Sequence, residues 1–362
     1  MTRVGIIGAG QLGKMLGQAG KRLGIDCVFL DPSDDPPAQS IGPVIKRQFD
    51  DTEGLCELAS RVDVLSYEFE NVPVGALAAI EDEIDIFPPT SALGLAQDRL
   101  LEKQLFQSLD IPIPAFKTVD SESDLRKAAR EIGFPIVLKT RRLGYDGKGQ
   151  AVIHDASELR DAWQELGDTP LIAEEMIAFD CEVSAIGVRS AGGDMAFYPL
   201  TENVHKSGIL STSKSVAATP TLNRLAQKYH RALVTQLDYV GILALELFVV
   251  GDTLLANEFA PRVHNSGHWT IEGAVTSQFE NHLRAVTNMP LGDPSATGYA
   301  AMVNLIGSMP ADLQALQAAG FHPHDYGKTA RPGRKLGHIT CVAEDADSRD
   351  RQLLEILQIL SE

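Results

Sequence analysis

Short apolar runs alternate with amphipathic stretches over the first hundred residues. The pattern predicts strands at Val4–Ile7, Asp26–Leu30, Val64–Tyr67 and Asp85–Phe87, and helices at Gln11–Leu23 and Thr52–Ser60. Such alternation is typical of a parallel, doubly wound sheet with helices packed on its faces. We therefore predict a Rossmann-like domain over residues 1–96, ended by the Pro88-Pro89 pair.

The pattern changes after this domain. A helical run extends from Ala92 to Leu109, and residues 115–180 follow the order strand, helix, strand, loop, strand, helix, strand. The other predicted elements are strands at Pro135–Thr140, Gln150–His154 and Leu171–Glu175, antiparallel strands within Asp180–Ala218, a helix at Thr219–Leu237, a hairpin of Gly241–Val250 and Thr253–Phe259, and a last helix at Ser348–Leu360. The chain is therefore predicted to be an α/β protein of two or three domains.

Composition narrows the possible partners. The 362 residues are 44% hydrophobic and 22% charged, as in ordinary globular proteins, and no apolar run approaches a membrane span. The formal charge of −17 disfavours nucleic acid and anionic membranes as partners. The four cysteines lie far apart without a Cys-x-x-Cys pair, which argues against zinc and disulfides. We expect no signal peptide and a cytoplasmic protein, whose anion sites must be local clusters of cations.

A first glycine-rich turn, Gly8-Ala-Gly-Gln-Leu-Gly13, follows a predicted strand and opens a helix. Such a turn offers backbone N–H groups and a helix N-terminus to a phosphate. With Asp31 at the end of the next strand, the turn also fits the dinucleotide fingerprint. The phosphate of another ligand is the favoured interpretation, and a dinucleotide site and a purely structural turn stay open.

A second glycine-rich segment, Gly144 to Gln150, follows the strand that ends near Lys139. Glycines let backbone amides close over phosphate oxygens, and the lysine adds a point charge. A plain hairpin tip is the alternative, but it leaves the cations Arg141, Arg142 and Lys148 unexplained in an acidic chain. Nearby, the apolar run Leu171–Ile177 could offer its backbone to an adenine edge, although alone it reads better as a buried strand.

Two carboxylates, Glu246 and Glu258, lie on the two strands of the predicted hairpin. Neighbouring carboxylates suit Mg²⁺ held against nucleotide phosphates, because magnesium prefers hard oxygen ligands. The loop that follows is rich in cations and hydrogen-bond donors: Arg262, His264, Asn265, Ser266 and His268. We predict that this hairpin and loop form the centre of an active site.

Five segments, taken in order, resemble the ATP-grasp superfamily and within it the N5-carboxyaminoimidazole ribonucleotide synthetases, the ATPase subunit of phosphoribosylaminoimidazole carboxylase. These segments are Gly10–Gly13, Gly144–Gln150, Asn203–Leu210, Ala260–Thr270 and Arg331–His338. The resemblance covers nearly the whole chain. It implies an ATP-grasp domain over residues 97–296 with a mobile lid at about 115–180, preceded by the Rossmann-like domain and followed by a small C-terminal domain over residues 297–362.

The resemblance implies ATP-dependent carboxylation of 5-aminoimidazole ribonucleotide with bicarbonate, in purine biosynthesis, with Mg²⁺ at Glu246 and Glu258. It implies that ATP is bound by Arg99, Lys139, Gly144, Tyr145, Asp146, Gly147, Lys148, Gly149, Gln150, Glu174, Glu175, Met176, Ile177, Glu182, His205, Asn257 and Glu258. Many members of the superfamily carry an asparagine two residues after the second metal glutamate, where this chain has Ala260.

The ribonucleotide and bicarbonate need their own groups. For the ribonucleotide we expect Gln11, Leu12, Glu68, Glu70, Tyr145, Asp146, Lys148, Asn265, Ser266, Lys328, Arg334 and Lys335. For the bicarbonate and its phosphorylated form we expect Arg262 and His264, so that the candidate catalytic residues are Arg262, His264, Tyr145 and Lys335. The basic run at residues 331–335 could instead be a solvated patch.

Other functions stay open at this point. A formate-using or amino-acid-using ligase would share Lys139 and the two metal glutamates. An NAD-dependent oxidoreductase would use the first glycine turn but leaves those three residues without a role, and a non-catalytic regulatory subunit would not need them. The resemblance also suggests a homodimer and a possible association with a separate carboxyaminoimidazole ribonucleotide mutase.

Overall fold

Three sheets form the framework of the computed structural model, which describes residues 2–144 and 148–360. The first sheet is parallel, with strand order β3-β2-β1-β4. Its elements are β1 (Arg3–Ile7), α1 (Gln11–Leu23), β2 (Asp26–Leu30), β3 (Val44–Ile45), α2 (Thr52–Ala59), β4 (Val64–Tyr67) and α3 (Val74–Leu77). The predicted parallel sheet is confirmed, although β3 is too short to give a sequence signal.

Two predictions at the end of this domain are wrong. Residues 85–87 do not form a strand and contribute only a bridge between Leu65 and Ile86. The single helix predicted over Ala92–Leu109 is two helices, α4 (Thr90–Ala96) and α5 (Arg99–Ser108). The break occurs at Asp98, whose extended backbone and side-chain bond to the Leu100 N–H cap α5.

The second sheet belongs to a separate unit and has the order β5-β8-β6-β7, with every pair antiparallel. Its elements are β5 (Phe116–Val119), α6 (Glu122–Ile132), β6 (Ile136–Thr140), β7 (Gln150–Ile153), α7 (Leu159–Leu166) and β8 (Leu171–Glu175). We call this unit the lid. Its own buried cluster, which includes Leu125, Leu138 and Leu171, packs the two helices on one face of the sheet.

The third and largest sheet runs in the order β14-β13-β9-β11-β12-β15-β17-β16, with β10 beside β9. Its strands are β9 (Cys181–Arg189), β10 (Met195–Phe197), β11 (Thr201–Lys206), β12 (Ile209–Ser215), β13 (Gly241–Val250), β14 (Thr253–Ala260), β15 (Tyr299–Ile306), β16 (His322–Asp325) and β17 (Lys335–Ala343). Its helices are α8 (Pro220–Gln236), α9 (Thr270–Gly273), α10 (Gln278–Val286), α11 (Leu313–Ala318) and α12 (Ala346–Ile359).

This sheet carries both the predicted hairpin and the C-terminal segment. The boundary predicted at residue 296 stays a prediction, but the hydrogen-bonded ladder is not interrupted there, because β12 pairs with β15. The N-terminal domain docks through the buried His282, which contacts the Ser66 hydroxyl at 2.8 Å and accepts from the Ile242 N–H at 3.2 Å. None of the helices in the described ranges combines the length and apolar character that a membrane crossing requires.

Candidate active site

The two predicted metal glutamates are cross-strand neighbours. Glu246 of β13 lies opposite Glu258 of β14, and the register then shifts so that Asn257 is the extra residue of a β-bulge. A bulge re-aims the side chains around it and is common beside active sites. The hairpin therefore brings two carboxylates to one place, as the sequence predicted.

The two carboxylates have different partners and different acidities. Glu258 accepts a 2.7 Å bond from Arg99, and this cation with Lys139 lowers its pKa although burial acts in the opposite sense. Burial and the neighbouring Glu258 raise the pKa of Glu246 to about 8. Burial and the cation Arg262 hold the pKa of His264 well below its usual range. His264 Nε2 lies 3.1 Å from Glu246 Oε1, so the loop imidazole and the carboxylate of the hairpin are direct neighbours.

Two half-buried carboxylates side by side, one with a raised and one with a lowered pKa, are a donor set suited to a divalent cation. In the described part of the chain, no cluster of three or more histidine, cysteine, aspartate or glutamate side chains is arranged to hold a metal. Magnesium commonly takes only one or two protein carboxylates and completes its shell with phosphate oxygens and water. Glu246 and Glu258 thus fit magnesium bound together with a nucleotide.

A buried carboxylate links the lid to this hairpin. Glu174 of β8 accepts from Lys139 of β6 at 3.0 Å and lies 3.4 Å from the ammonium nitrogen of Lys103 on α5. Burial raises the pKa of Glu174, but Lys139, Lys103 and Arg99 outweigh it and hold that pKa at about 2. Lys103 also donates to the Asn257 carbonyl at 2.7 Å. The predicted nucleotide residues Lys139, Glu174, Asn257 and Arg99 are thus brought together.

The other predicted nucleotide residues are placed as follows. His205 Nδ1 is hydrogen-bonded to the Glu182 carboxylate across β11 and β9. Burial lowers the pKa of His205, but the bond to Glu182 outweighs it and the net shift is upward. The Glu175 and Met176 N–H groups donate to the Ala115 and Pro135 carbonyls, while the Met176 side chain is 44% exposed.

The glycine loop is described only at its two ends. Tyr145, Asp146 and Gly147 lie outside the described residues, so the roles expected of them are not addressed. Gly149 has a φ of +70°, and a Cβ there would lie 2.6 Å from the Thr140 hydroxyl oxygen. The Thr140 N–H donates to the Gly149 carbonyl at 2.8 Å, which fastens the loop to the end of β6. Glycine is required at this position because both the backbone and the space exclude a side chain.

The loop after β14 is held by side chains that the sequence did not single out. Gln278, fully buried on α10, accepts from the His264 N–H at 3.0 Å and donates to its carbonyl at 2.6 Å. Asn265 and Asn304 exchange two amide bonds of 3.0 and 2.8 Å. Ser266 is buried and its hydroxyl lies 2.8 Å from His264 Nδ1. Asn265 and Ser266, predicted to bind substrate, here bond within the protein.

Arg262 emerges from the same loop toward the N-terminal domain. Its guanidinium forms a 3.0 Å ion pair with Glu70 and donates to the Val263 carbonyl at 3.0 Å. Glu68 and Glu246 are close enough to raise the Arg262 pKa further, against the effect of burial. Arg262 is therefore a permanent cation between the hairpin and the two N-terminal carboxylates.

The first glycine turn uses two of its N–H groups internally. The Ala9 N–H donates to Asp31 at 2.8 Å and the Gly10 N–H donates to Glu68 at 2.6 Å. A Cβ at Gly10 would lie 2.8 Å from Glu68 Oε1. Asp31 is buried and also accepts from the Ser33 N–H at 2.9 Å, so both of its oxygens bond the backbone of its own domain, which weakens the support for a dinucleotide site. The glycines are needed for the approach of Glu68 to the backbone.

The C-terminal part of the chain contacts helix α1, which follows the first glycine turn. Lys328 is hydrogen-bonded to the Gln11 side chain, and Lys14 donates to the Asp325 carbonyl at 3.0 Å. Burial lowers the pKa of Lys328 to about 8, and the like charges of Arg334 and Lys335 act in the same sense. Arg334 donates to the Thr329 carbonyl at 3.1 Å. Lys328 therefore lies at the N-terminus of α1, where Gln11 and Leu12 were predicted to bind a phosphate, and Arg334 and Lys335 are near enough to affect its pKa.

A stack of three imidazoles, two buried and one partly exposed, lies behind the loop. His338 lies between His324 and His268, with ring centroids 4.3 and 4.8 Å apart. His268 Nδ1 contacts the Asn265 amide at 2.7 Å and His324 contacts Glu272 at 2.8 Å. Burial and the neighbouring imidazoles hold the pKa values of His268 and His338 well below the usual range. His268 and His338 therefore pack behind the loop as neutral imidazoles, and the sequence marks them by their places in the segments Ala260–Thr270 and Arg331–His338.

Comparisons with known proteins cover the whole chain. Residues 1–97 match the ribonucleotide synthetase preATP-grasp domain, residues 104–279 the ATP-grasp domain, and residues 300–352 the phosphoribosylaminoimidazole carboxylase C-terminal domain. The chain is 47% identical to the N5-carboxyaminoimidazole ribonucleotide synthase of Pseudomonas aeruginosa, with 98% of both chains covered. It is 40% identical to that of Vibrio cholerae, covering 99% of this chain and 96% of the relative.

Solved structures of proteins with similar names have the same fold as this chain. The N5-carboxyaminoimidazole ribonucleotide synthetase of Thermus thermophilus superposes with a TM-score of 0.95 at 47% identity, with 99% of both chains covered. The N5-carboxyaminoimidazole synthase of Aspergillus clavatus, in complex with ADP and 5-aminoimidazole ribonucleotide, gives a TM-score of 0.92 at 30% identity, covering 99% of this chain and 98% of that one.

Proposed function

The chain belongs to the N5-carboxyaminoimidazole ribonucleotide synthases, and from this premise we propose how its own residues perform the ATP-dependent carboxylation of 5-aminoimidazole ribonucleotide. The observation that carries the proposal is the meeting of three sets of groups. These are the pair Glu246 and Glu258 of the hairpin, the lid residue Lys139 whose charge acts on Glu258, and Lys328 at the start of the helix after the first glycine turn.

Bicarbonate is a poor electrophile and has to be activated before an amine can take its carbon. One of its oxygens attacks the γ-phosphorus of ATP, so that an O–P bond forms while the bond to the ADP oxygen breaks, giving carboxyphosphate. Carboxyphosphate hydrolyses readily, and a lid that excludes water therefore protects it. The exocyclic amine of the ribonucleotide then takes up the carboxyl group and phosphate leaves.

The phosphate end of the site is formed by Arg99, Lys139, Glu174, Glu246 and Glu258. Arg99 and Lys139 meet the phosphates of ATP, and Glu246 and Glu258 hold magnesium, which neutralises charge on the transferring phosphoryl group when it is bound. Arg99 pairs with Glu258 at 2.7 Å, so its guanidinium lies where it could also donate to phosphates held beside that carboxylate. These assignments are supported by the 2.7 Å ion pair of Arg99 and the placement of Lys139 at the end of β6.

The adenosine lies between the lid and the large sheet in this proposal. The Glu175 and Met176 N–H groups have partners within the protein, so the carbonyl oxygens of residues 174–177 and the exposed Met176 side chain frame the adenine. Glu182, which already bonds His205, accepts from the ribose hydroxyls. A carboxylate of this kind can accept two further bonds while it keeps its histidine partner.

The ribonucleotide end is formed by Gln11, Glu68, Lys328 and Lys335. The phosphate of the ribonucleotide meets the N-terminus of α1 together with Lys328 and Lys335, because helix N-termini and cations both favour anions. Glu68, one of whose oxygens is held by the Gly10 N–H, accepts from the exocyclic amine with the other. Arg262 and His264 steady the bicarbonate between the two ends, which is supported by their places beside Glu70 and Glu246.

The proposal is tested by ADP release from Mg-ATP, with bicarbonate and the ribonucleotide omitted in turn and ¹³C-bicarbonate used to label the product. We expect strong stimulation by the ribonucleotide and one labelled carbon in the product. Indifference to the ribonucleotide, with activation by formate or an amino acid instead, would overturn the substrate assignment. The homodimer and the mutase association suggested by the resemblance stay predictions, which light scattering and co-purification can check.

A further inference from the structure

Lys103 is a wholly buried cation without a place in the mechanism above. It lies one helical turn after Arg99 on α5, and its side chain has no solvent-exposed surface. Its ammonium group donates to the Asn257 carbonyl at 2.7 Å and lies 3.4 Å from Glu174 Oε2. A buried ammonium group costs several kcal/mol unless it is paired and hydrogen-bonded, so this one depends on both partners.

The contacts of Lys103 join two parts of the molecule. Asn257 precedes the metal-site residue Glu258 on β14, which belongs to the large sheet. Glu174 belongs to the lid sheet, where the same carboxylate oxygen accepts from Lys139 at 3.0 Å. Glu174 Oε2 is therefore shared by Lys139 of the lid and Lys103 of α5. Lys103 is in turn bonded to β14, the strand that carries Glu258.

We propose that Lys103 is a positioning residue, which holds Glu174, and through Glu174 the ammonium group of Lys139, against the strand that carries Glu258. The distance between the lid lysine and the glutamate pair is then set by a chain of two ion pairs and one backbone bond. The proposal rests on the proposed function only in taking nucleotide phosphates as the anion that Lys139 meets.

Nearby acceptors support this role. Among the residues that the structure describes, the buried atoms Glu174 Oε1 and Asn257 Oδ1 find no hydrogen-bond partner, and both belong to residues that Lys103 contacts. Buried acceptors of this kind are costly and need a reason to persist. A core ion pair with a merely structural role would be expected to have both carboxylate oxygens satisfied within the protein.

The test compares Lys103→Met with Arg349→Met. Arg349 is also a buried cation that donates to a backbone carbonyl, that of Ser215 at 2.6 Å, but it lies in the C-terminal segment. Both variants should unfold at lower denaturant concentration. We expect only Lys103→Met to weaken Mg-ADP binding by calorimetry, about tenfold, and to lower kcat about tenfold, with the KM for the ribonucleotide unchanged.

A double-mutant cycle shows whether Lys103 acts through Glu174. If it does, Lys103→Met combined with Glu174→Gln should lose about as much nucleotide affinity as the worse single variant. Additive losses, or nucleotide affinity in Lys103→Met equal to that in Arg349→Met, would overturn the proposal. If Lys103→Met does not fold, Lys103→Gln replaces it with the same expectations, because the amide keeps a donor for the Asn257 carbonyl. The calorimetry needs no ribonucleotide, so its outcome is separate from that of the proposed function.

Discussion

The two ends proposed for the site, the phosphate end and the ribonucleotide end, would both hold an anion in a chain of formal charge −17, but by different means. At the phosphate end, buried cations and carboxylates of residues 99–258 fix one another through short ion pairs. At the ribonucleotide end, the glycine turn gives two N–H groups to the chain's own carboxylates, and the cations come from residues 328–335. Substitutions at the first end should therefore affect turnover, and those at the second end should affect substrate affinity.

The largest effect is expected from Glu258→Gln. Removal of this charge should weaken the proposed magnesium site and replaces the carboxylate partner of Arg99, 2.7 Å away, by a neutral amide, so turnover should fall by about a thousandfold or more while the fold survives. Steady-state ADP release and circular dichroism measure the two properties. The control is Glu131→Gln, whose 40% exposed carboxylate pairs with Lys117 on the lid surface. Near-normal turnover of Glu258→Gln would disprove the assignment.

Lys335→Ala tests the ribonucleotide end of the proposed site. If Lys335 binds the ribonucleotide phosphate as proposed, loss of this cation should raise the KM for the ribonucleotide by about ten- to a hundredfold and change the KM for ATP by less than about twofold. Initial rates with each substrate varied in turn measure both constants, and Lys127→Ala on the lid surface is the control. An equal rise in both constants would place Lys335 outside the substrate site.

Gly10→Ala should have an intermediate effect. The added Cβ would lie 2.8 Å from Glu68 Oε1, so the carboxylate has to move away from the turn. We expect the free energy of unfolding to fall by about 1–3 kcal/mol and the KM for the ribonucleotide to rise more than that for ATP. Denaturant titration and kinetics measure these changes. Gly75→Ala, where nothing lies within 4 Å of the new Cβ, should behave as wild type.

The smallest effect is expected from Asn304→Ala. The variant removes the paired amide bonds to Asn265 and loosens the loop between the two ends, which should cost about 1–2 kcal/mol of stability and lower kcat severalfold. Asn223→Ala is the matched control, because Asn223 donates to the Ala218 carbonyl at 2.9 Å away from the loop. Equal kcat values in the two variants would show that the amide pair does not position the loop.

The sequence predicts those parts of the molecule in which the hydrophobic pattern of a short segment also determines what that segment pairs with. The hairpin of Glu246 and Glu258 follows from two apolar strands around a Gly-Asp turn, and its pairing in the structure confirms the expectation. The parallel N-terminal sheet follows from alternating runs in the same way. The break at Asp98 was missed, because amphipathic periodicity continues through a residue whose side chain caps the next helix.

The side-chain bonds that hold the site in place join residues far apart in the sequence, so a local sequence pattern does not predict them. Gln278 and Asn304 bond residues that are 14 and 39 positions away, and no spacing rule connects them. The sequence also does not show what the first glycine turn binds. The same glycines would let the backbone approach either a phosphate or the Glu68 carboxylate. Lys103 is conspicuous only once its complete burial is known.

The continuity of the large sheet has a consequence for synthesis of the chain. Strand β12 ends at Ser215, but its neighbour β15 begins 84 residues later at Tyr299. Until β15 emerges from the ribosome, Thr212, Ser213 and Lys214 offer an open strand edge, which is a template for pairing with other chains. A nascent or truncated chain that lacks β15 would therefore need chaperone protection. Deletion of the C-terminal segment should cause aggregation of the chain before any loss of substrate binding can be measured.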